Sequence, residues 1–278
     1  MRFRSPNLLF LCFLCALASG ASDVKPRDPA KMTAQEIQHC VQQNFPDDSM
    51  VQTLKMTSVD RMGVERLLEA EMWWQKDQET RLSNVLMTFD NPPELRGASV
   101  LVLEKKPQND MFMFLPELKR TRRITSQMVN GNMMGTDFSY SDFQRMQGML
   151  TSLDSKRMPD EAIGERQAFV TESVPGEPSS EYNLVRSWVD QQTCVPLKVE
   201  FYTKDHPGPV KLMTTKAESV SKEKTGYMPR EIAMKDLRSE TATIIVIEKL
   251  KVSVPIERKR FSAAELERQG RFGSAPTH

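Results

Sequence analysis

The spacing of apolar and polar residues predicts a chain made mostly of β-strands. Between Thr53 and Val252, apolar residues recur at every second position in one short segment after another, which is the period of a half-buried strand. We count ten or eleven such segments, nearly all joined by short turns such as Arg61-Met62-Gly63. This pattern predicts an antiparallel sheet with one apolar face.

Helical spacing occurs at the start, in the middle and at the end of this region. Thr33 and Glu36 form a capping box that opens a helix ending before Pro46. A second helix is expected from Ser139 onward, and a second capping box at Ser262 opens a third. Only these three helices are available to cover the apolar face of the sheet.

The alternation assigns one set of apolar side chains to the same face. Trp73 and Trp74 are neighbours in a strand and must point in opposite directions, and the pattern favours Trp74 inward. The strand MFMFL is expected to be buried on both faces, with Phe112 and Phe114 opposite the methionines. The predicted inward-facing set is Leu68, Met72, Trp74, Val85, Met87, Phe89, Met111, Met113, Leu115, Leu197, Val199 and Phe201.

The first residues have the composition of a secretory signal. Arg2 and Arg4 precede a short apolar run and then small residues suited to cleavage. We expect residues 1–21 to be removed on export and residues 22–32 to form a flexible leader. No later segment approaches eighteen unbroken apolar residues, so no transmembrane helix is predicted.

Composition argues against nucleic acid and metal as ligands. The 38 basic and 37 acidic residues are nearly balanced, and without Arg2 and Arg4 there are 36 basic residues to 37 acidic. The chain has no long basic tract, so a nucleic-acid partner is not expected. The 3 histidines are scattered, which argues against a metal site, and no cofactor is expected.

Two cysteines, Cys40 and Cys194, lie beyond the predicted signal. In an oxidising compartment they can form a disulfide, and two separate buried thiols are the alternative. Spacing alone leaves both possibilities open.

A cluster of arginines and a pair of methionines each have two interpretations, one as part of a binding site and one as an ordinary part of the fold. Arg120, Arg122 and Arg123 follow Pro116 closely and are candidates for contact with anionic head groups or an acidic partner. A solvated strand face is the alternative for these arginines. Met133 and Met134 lie between glycines and are either a mobile lid or plugs that fill a gap in the core.

The chain lacks the motifs of common enzymes. No GxSxG, HExxH or P-loop segment and no paired histidines occur. Asp137, Asp142 and Asp190 are the carboxylates we considered for catalysis, although helix entry and turn capping explain Asp137 and Asp142 more simply. We therefore predict no catalytic residue and no enzymatic activity, with a hydrolase as a remote alternative.

The order of motifs along the chain resembles a known family. The segments that carry the resemblance are LKMTSVDRMG (54–63), FDNPPELRGASVLVL (89–103), MFMFLPELKRTRRI (111–124), MMGTDFSYSDF (133–143), WVDQQTCVPLKVEFY (188–202) and PREIAMKDL (229–237). Together they are similar to the periplasmic outer-membrane lipoprotein-sorting proteins related to LolA.

This resemblance implies a mainly β fold, a strongly curved antiparallel half-barrel with helices covering its concave face. The lipid-binding domain would span residues 33–262, and residues 263–278 would form a C-terminal helix and a polar tail. Acyl chains would bind between sheet and helices, which makes the inward-facing set the candidate cavity lining. The 18 methionines suit a ligand without a fixed shape.

The function implied is that of a periplasmic, monomeric, non-enzymatic lipid chaperone. It would carry acyl chains of a lipoprotein or lipid towards the outer membrane, between an inner-membrane exporter and an outer-membrane acceptor. The alternative is an envelope-stress sensor, or an accessory subunit of an exporter, that acts through protein contacts.

Overall fold

The alternating segments form the strands of one large antiparallel sheet. The computed structural model describes residues 29–150 and 152–272. The predicted signal peptide, most of the leader and the tail from residue 273 lie outside these described residues. Of a first unit, residues 1–31, only a 3-10 helix at Pro29–Lys31 is described, and the sheet belongs to a second unit that begins at Met32.

The strands are β1 (Ser49–Val59), β2 (Glu65–Lys76), β3 (Ser83–Asn91), β4 (Ser99–Leu103), β5 (Asp110–Leu115), β6 (Arg120–Arg123), β7 (Ser152–Ile163), β8 (Arg166–Pro175), β9 (Leu184–Asp190), β10 (Pro196–Tyr202), β11 (Pro209–Thr215), β12 (Ser221–Lys222), β13 (Tyr227–Met228), β14 (Glu231–Asp236) and β15 (Thr241–Val252). The α-helices are α1 (Ala34–Gln42), α2 (Tyr140–Met146) and α3 (Ala263–Phe272). Further 3-10 helices lie at Pro93–Leu95, Pro116–Leu118, Ala217–Ser219 and Arg258–Arg260.

Thirteen strands make one open sheet in the order β6-β5-β4-β3-β2-β1-β15-β14-β11-β10-β9-β8-β7. Nearly all neighbours in the sheet are also neighbours along the chain, and the last strand, β15, returns to pair with β1. The strands β12 and β13 form a separate two-stranded hairpin. The predicted mainly β, curved half-barrel is confirmed.

The sheet has thirteen strands, more than the ten or eleven that the alternation predicts. The strand β7 gives no such signal, because its sequence SLDSKRMPDEAI has no apolar alternation. It is an edge strand, and its pairing with β8 slips between Met158 and Glu161, around Pro159. An edge strand has one exposed side and tolerates proline at a bulge, so the two-residue period is absent.

The two faces of the sheet have different partners. Leu68, Met72 and Trp74 lie on the face that we call the inner face, within a large cluster of buried apolar side chains. Trp73 lies on the outer face, in a smaller cluster with Phe114. The opposite directions of neighbouring side chains in a strand produce this division.

The helix α3 packs on the outer face, which corrects the expectation that the helices cover the concave face. Phe261 and Leu266 bury against the outer cluster. The guanidinium of Arg260 stacks over the Trp73 ring, with its Cζ 4.4 Å from the ring centroid. The Glu267 carboxylate accepts a 3.0 Å hydrogen bond from the Thr121 N–H of the edge strand β6. The sequence reveals a helix here but not the face it covers, because both faces of β5 are apolar.

A disulfide joins the helix α1 to the half of the sheet that contains β9 and β10. Thr33 and Glu36 form the predicted capping box at its start. Ile37 is buried with Phe169 of β8. Cys40 is bonded to Cys194, in the turn between β9 and β10, with 5.7 Å between the two Cα atoms. The disulfide resolves the two alternatives that the sequence leaves open.

We expect removal of this disulfide to lower the free energy of unfolding. The bridge joins residues 154 positions apart, so it restricts the unfolded chain strongly. The double variant Cys40→Ala with Cys194→Ala should lose about 2–5 kcal/mol, measured by urea denaturation. The wild-type protein with reductant is the matched control. Identical unfolding midpoints for the oxidised and reduced wild-type protein would contradict this prediction.

Candidate functional site

A cavity of about 280 Å³ lies between the inner face of the sheet and a roof of smaller elements. Its floor is formed by β1–β3, β7–β11, β14 and β15. Its roof is formed by α1, by α2 with the residues that follow it, and by the hairpin β12–β13. This volume lies just below the range of about 300–1,000 Å³ that is typical of small-molecule pockets.

The lining of the cavity is largely apolar and rich in methionine. Eight methionines contribute to it: Met50, Met72, Met87, Met133, Met146, Met213, Met228 and Met234. Two phenylalanines from the roof also line the cavity: Phe45, which lies just after α1, and Phe143 of α2. Unbranched thioether side chains change rotamer at low cost, so the cavity can adapt to a flexible apolar ligand.

A buried ion pair fixes α2 to the floor. The alternation of β11 turns Lys211 inward, and its Nζ lies 3.0 Å from the Asp142 Oδ2. Only 2% of the Lys211 side chain and 1% of the Asp142 side chain are exposed, so little water screens this pair. The Asp142 carboxylate also completes a capping box with Ser139 at the start of α2. Two charges from distant parts of the chain therefore hold the helix over the cavity.

Neighbouring polar groups complete the network around this pair. The Tyr182 hydroxyl donates a 3.0 Å hydrogen bond to Asp142 Oδ1. Burial, the Asp142 charge and the Glu181 charge raise the pKa of Tyr182 far above its usual value, so the phenol stays protonated. The Lys211 Nζ also donates to the carbonyl oxygen of Asp137, at 2.9 Å. Asp137 in turn accepts a hydrogen bond from the Thr243 hydroxyl at 2.6 Å.

The carboxylates considered for catalysis are all engaged in structural contacts. Asp137 and Asp142 belong to the network described above. Asp190 pairs with Arg166 at 3.0 Å and accepts a hydrogen bond from the Thr193 hydroxyl at 2.5 Å, which orders the turn before β10. Each of these acids holds two segments of the chain together.

A single asparagine links the other roof elements. The Asn44 Nδ2 donates to the carbonyl oxygen of Thr193 at 2.9 Å, beside the disulfide. Its Oδ1 accepts from the N–H of Tyr227 in β13 at 3.0 Å. A Cβ at Gly226 would lie 2.7 Å from the Asn44 Cα, so only glycine allows this close approach. The end of α1 and the hairpin β12–β13 are therefore fastened to each other.

The predicted inward-facing set is divided by the structure. Met72, Met87, Val199 and Phe201 line the cavity. The others are outside the lining: Leu68, Trp74, Val85, Phe89, Met111, Met113, Leu115 and Leu197. All of these except Leu197 pack in or against the inner cluster, and Leu197 is buried at an irregular position of the pairing between β10 and β9. The contact of any of these residues with lipid stays a prediction.

The segment between β6 and α2 contributes side chains to the inner cluster in which most of the excluded residues are buried. Met133 is 1% exposed and packs with Phe138 in the inner cluster. The Met133 N–H donates to the Phe138 carbonyl at 2.8 Å, and the Thr136 hydroxyl donates to the Met133 carbonyl at 2.7 Å. These bonds hold Met133 as a plug, and its side chain also reaches the edge of the cavity.

Met134 is placed differently from Met133. It adopts a positive φ of 51°, is half-buried, and its carbonyl oxygen accepts a 3.1 Å hydrogen bond from Arg66 Nη1. Gly135 has a positive φ of 79°, which favours glycine, and a Cβ there would lie 2.7 Å from that same nitrogen at the movable end of Arg66. A lid movement of Met133 and Met134 stays a prediction that would require these contacts to break.

The sequence analysis missed most of the floor. The cavity-lining residues that it did not select include Met50, Leu54, Met213, Ile232, Met234, Ile245 and Ile247. The strand β14, with sequence EIAMKD, alternates clearly, so its inward direction is readable from the sequence. The segment TIIVI of β15 is a continuous apolar run, and β11 places Lys211 inward, so the two-residue period does not reveal their inward positions. Ile37, Val41 and Phe45 lie at helical spacing along α1 and just beyond it, and they form part of the roof.

The predicted basic cluster lies at the edge strand β6. Arg120 and Arg122 pair across the ladder with Leu115 and Met113, so they project on the inner side of the edge. Arg123 projects on the outer side, where its guanidinium pairs with Asp110. All three arginines are exposed, and none lines the cavity. Contact with a head group or a partner at this edge stays a prediction.

None of the helices within residues 29–150 and 152–272 has the length and apolar character that crossing a bilayer requires. In the same part of the chain, no group of three or more His, Cys, Asp or Glu side chains is arranged to hold a metal ion.

The fold and the cavity define the class, an open antiparallel half-barrel with an apolar space beneath its helices. A family model described as an uncharacterized protein matches residues 81–268. The chain belongs to this family, DUF1329, because the match covers about two thirds of its length. No curated relative matches the sequence.

Three solved structures share the fold. A domain described as part of an outer membrane lipoprotein-sorting protein from Vibrio parahaemolyticus has a TM-score of 0.75 and 22% identity, covering 87% of this chain and 100% of its own. A DUF1329 family protein from Desulfovibrio piger has a TM-score of 0.78 and 19% identity, covering 86% and 100%. A LolA superfamily protein from Nitrosomonas europaea has a TM-score of 0.66 and 20% identity, covering 83% and 98%. The LolA-like fold that the sequence resembles is confirmed.

We expect loss of one partner of the buried pair to cost more stability than neutralising both. Lys211→Met leaves the Asp142 charge buried without its counter-ion and should lower the free energy of unfolding by about 3–5 kcal/mol. In Lys211→Met with Asp142→Asn, no uncompensated charge remains and the helix cap is kept, so part of that loss should be recovered. Urea denaturation followed by tryptophan fluorescence measures both variants. Equal or greater destabilisation of the double variant would contradict the prediction.

Proposed function

We propose that this protein is a non-enzymatic carrier that binds the acyl chain of a lipid or lipoprotein in the cavity beneath its roof. The observation that carries the proposal is the methionine-rich cavity between the inner face of the sheet and α1, α2 and β12–β13. The predicted export signal makes the periplasm the expected location, with transfer directed towards the outer membrane.

The energetic need for such a carrier follows from the cost of exposing an acyl chain. A chain of sixteen carbons costs about 13 kcal/mol to expose to water, at about 0.8 kcal/mol per methylene. A protein cavity that replaces water with apolar side chains removes most of this cost during passage through an aqueous compartment. Direction comes from a difference in affinity between donor, carrier and acceptor.

The buried carboxylates form ion pairs and hydrogen bonds within the fold, and these contacts support binding rather than catalysis as the function. Asp137, Asp142 and Asp190 each hold segments of the fold together. Asp142, which lines the cavity, is neutralised by Lys211. A general base needs a free carboxylate within reach of a substrate proton, which this pairing disfavours.

We expect a tryptophan that fills the cavity to abolish lipid binding. Met213 lies on the cavity floor and is only half-buried, so Met213→Trp should occupy ligand space at a modest cost in stability. Native mass spectrometry of the mature protein, purified without detergent, should detect a bound acyl species in the wild type and little in this variant.

Met62→Trp is the matched control, because Met62 is 78% exposed at the turn between β1 and β2. It adds the same side chain far from the cavity and should keep the bound species. A wild-type protein that arrives empty and takes up no added acyl probe would refute the carrier. An empty protein that copurifies with an inner-membrane partner would instead support the sensor or exporter-accessory alternative.

A further inference from the structure

One side of the cavity floor carries a group of hydroxyl side chains. Ser155 of β7, Thr171 and Ser173 of β8, and Ser187 of β9 all line the cavity. Ser155 is directly opposite Ser173 in the ladder, and Thr171 is directly opposite Ser187. Paired residues on one face of a sheet have Cβ atoms about 5 Å apart, so these four hydroxyls form one patch. We call this group the hydroxyl patch.

A buried guanidinium from the roof lines the same cavity. Arg145, in the last turn of α2, has a side chain that is 17% exposed. Its Nε and Nη2 are buried and donate to no acceptor among the described residues. These two nitrogens form one edge of the planar guanidinium, and the N–H groups of this edge can donate to both oxygens of a carboxylate or phosphate.

The nearest carboxylate does not satisfy that edge. The Glu177 Oε2 lies 3.6 Å from Arg145 Nη2, which is longer than a hydrogen bond. Buried donors without acceptors are costly, because they lose hydration and gain nothing in return. The carboxylate of Glu177 is close enough to balance the charge of Arg145 and to compete with another anion for it.

The far side of the floor is richer in apolar side chains. Met50, Met72 and Met87 lie on β1, β2 and β3, at the far side of the floor from β7–β9 in the order of the strands, with Gln52 of β1 beside them. The cavity therefore combines the hydroxyls of β7–β9 and the Arg145 guanidinium with a lining that is otherwise largely apolar. An amphiphile with one charged head group and one apolar tail matches this arrangement.

We propose that the cavity selects an acyl chain ending in an oxyanion, with a free carboxylate as the simplest case. The head group would bind the Nε–Nη2 edge of Arg145 and the hydroxyl patch, and the tail would lie among the methionines. This inference rests on the proposed function as a carrier. It separates free fatty acids and related acidic lipids from the ester- and amide-linked chains of lipoproteins, which carry no charge at the linkage.

The test compares cis-parinaric acid with its methyl ester, two fluorescent probes that share a tail and differ in head-group charge. At pH 8, where the free acid is ionised, the wild type should bind the acid about tenfold or more tightly than the ester. Arg145→Gln should remove this preference by weakening the acid and leaving the ester unchanged. Fluorescence titration measures both affinities.

The variant Glu177→Gln should change the affinity for the acid in the direction opposite to that of Arg145→Gln. Removing the competing carboxylate should tighten binding of the acid and leave binding of the ester unchanged. If the Arg145–Glu177 pair had only a structural role, Arg145→Gln and Glu177→Gln would change the two affinities in the same way. Arg61→Gln, in the exposed turn between β1 and β2, is the control for a general loss of positive charge and should leave both affinities unchanged. An acid preference that survives Arg145→Gln, or weaker acid binding by Glu177→Gln, would overturn the inference while the carrier function stands. Failure of the wild type to bind either probe would overturn the carrier function itself.

Discussion

The structure depends on one constraint, a single open sheet with an apolar face larger than its helices can cover. Thirteen strands present an inner face that must be removed from water, and among residues 29–150 and 152–272 the other sheet is only the two-stranded hairpin β12–β13. One helix, α3, is used on the outer face, so the inner face is left to α1, α2, this hairpin and the Met133 segment. These elements bury part of the inner face and leave a cavity over the rest.

The roof is fastened mainly at defined polar and covalent points. Lys211 and Asp142 hold α2, Asn44 joins α1 to the hairpin β12–β13, and the Cys40–Cys194 disulfide ties α1 to the turn before β10. Hydrogen bonds and ion pairs fix position without requiring that the apolar surfaces between them be filled. Such anchoring keeps the cavity in place while its methionines stay free to adjust to a ligand.

The polarity of the cavity follows from the edge of the sheet. Strands near the β7 edge are less deeply covered than the central strands, and their inward positions hold serine and threonine where central strands hold methionine and isoleucine. Arg145 lines the same cavity from α2, the helix that the Lys211–Asp142 pair holds in place. In the proposed function, the anchor of the roof and the binding of a charged head group would therefore be linked through the same short helix.

The sequence by itself determined the local features of this protein. Alternation in β2 separated Trp73 from Trp74, and the capping box at Thr33 and the helix entry at Ser139 marked the starts of helices where the structure has them. These features depend on neighbours within a few residues, so they can be read along the chain. The strand β7 was lost because edge position and Pro159 remove the period on which the analysis depends.

Only the tertiary structure decided which inward positions are filled and which line a cavity. Met113 and Met213 both lie on the inner face, but Met113 is buried in the inner cluster, whereas Met213 lines the cavity. Lys211 and Asp142 are 69 positions apart. Glu177, which lies near Arg145, belongs to the loop between β8 and β9. Such contacts depend on how distant segments pack, and a pattern of alternating residues specifies the direction of a side chain but not what lies in front of it.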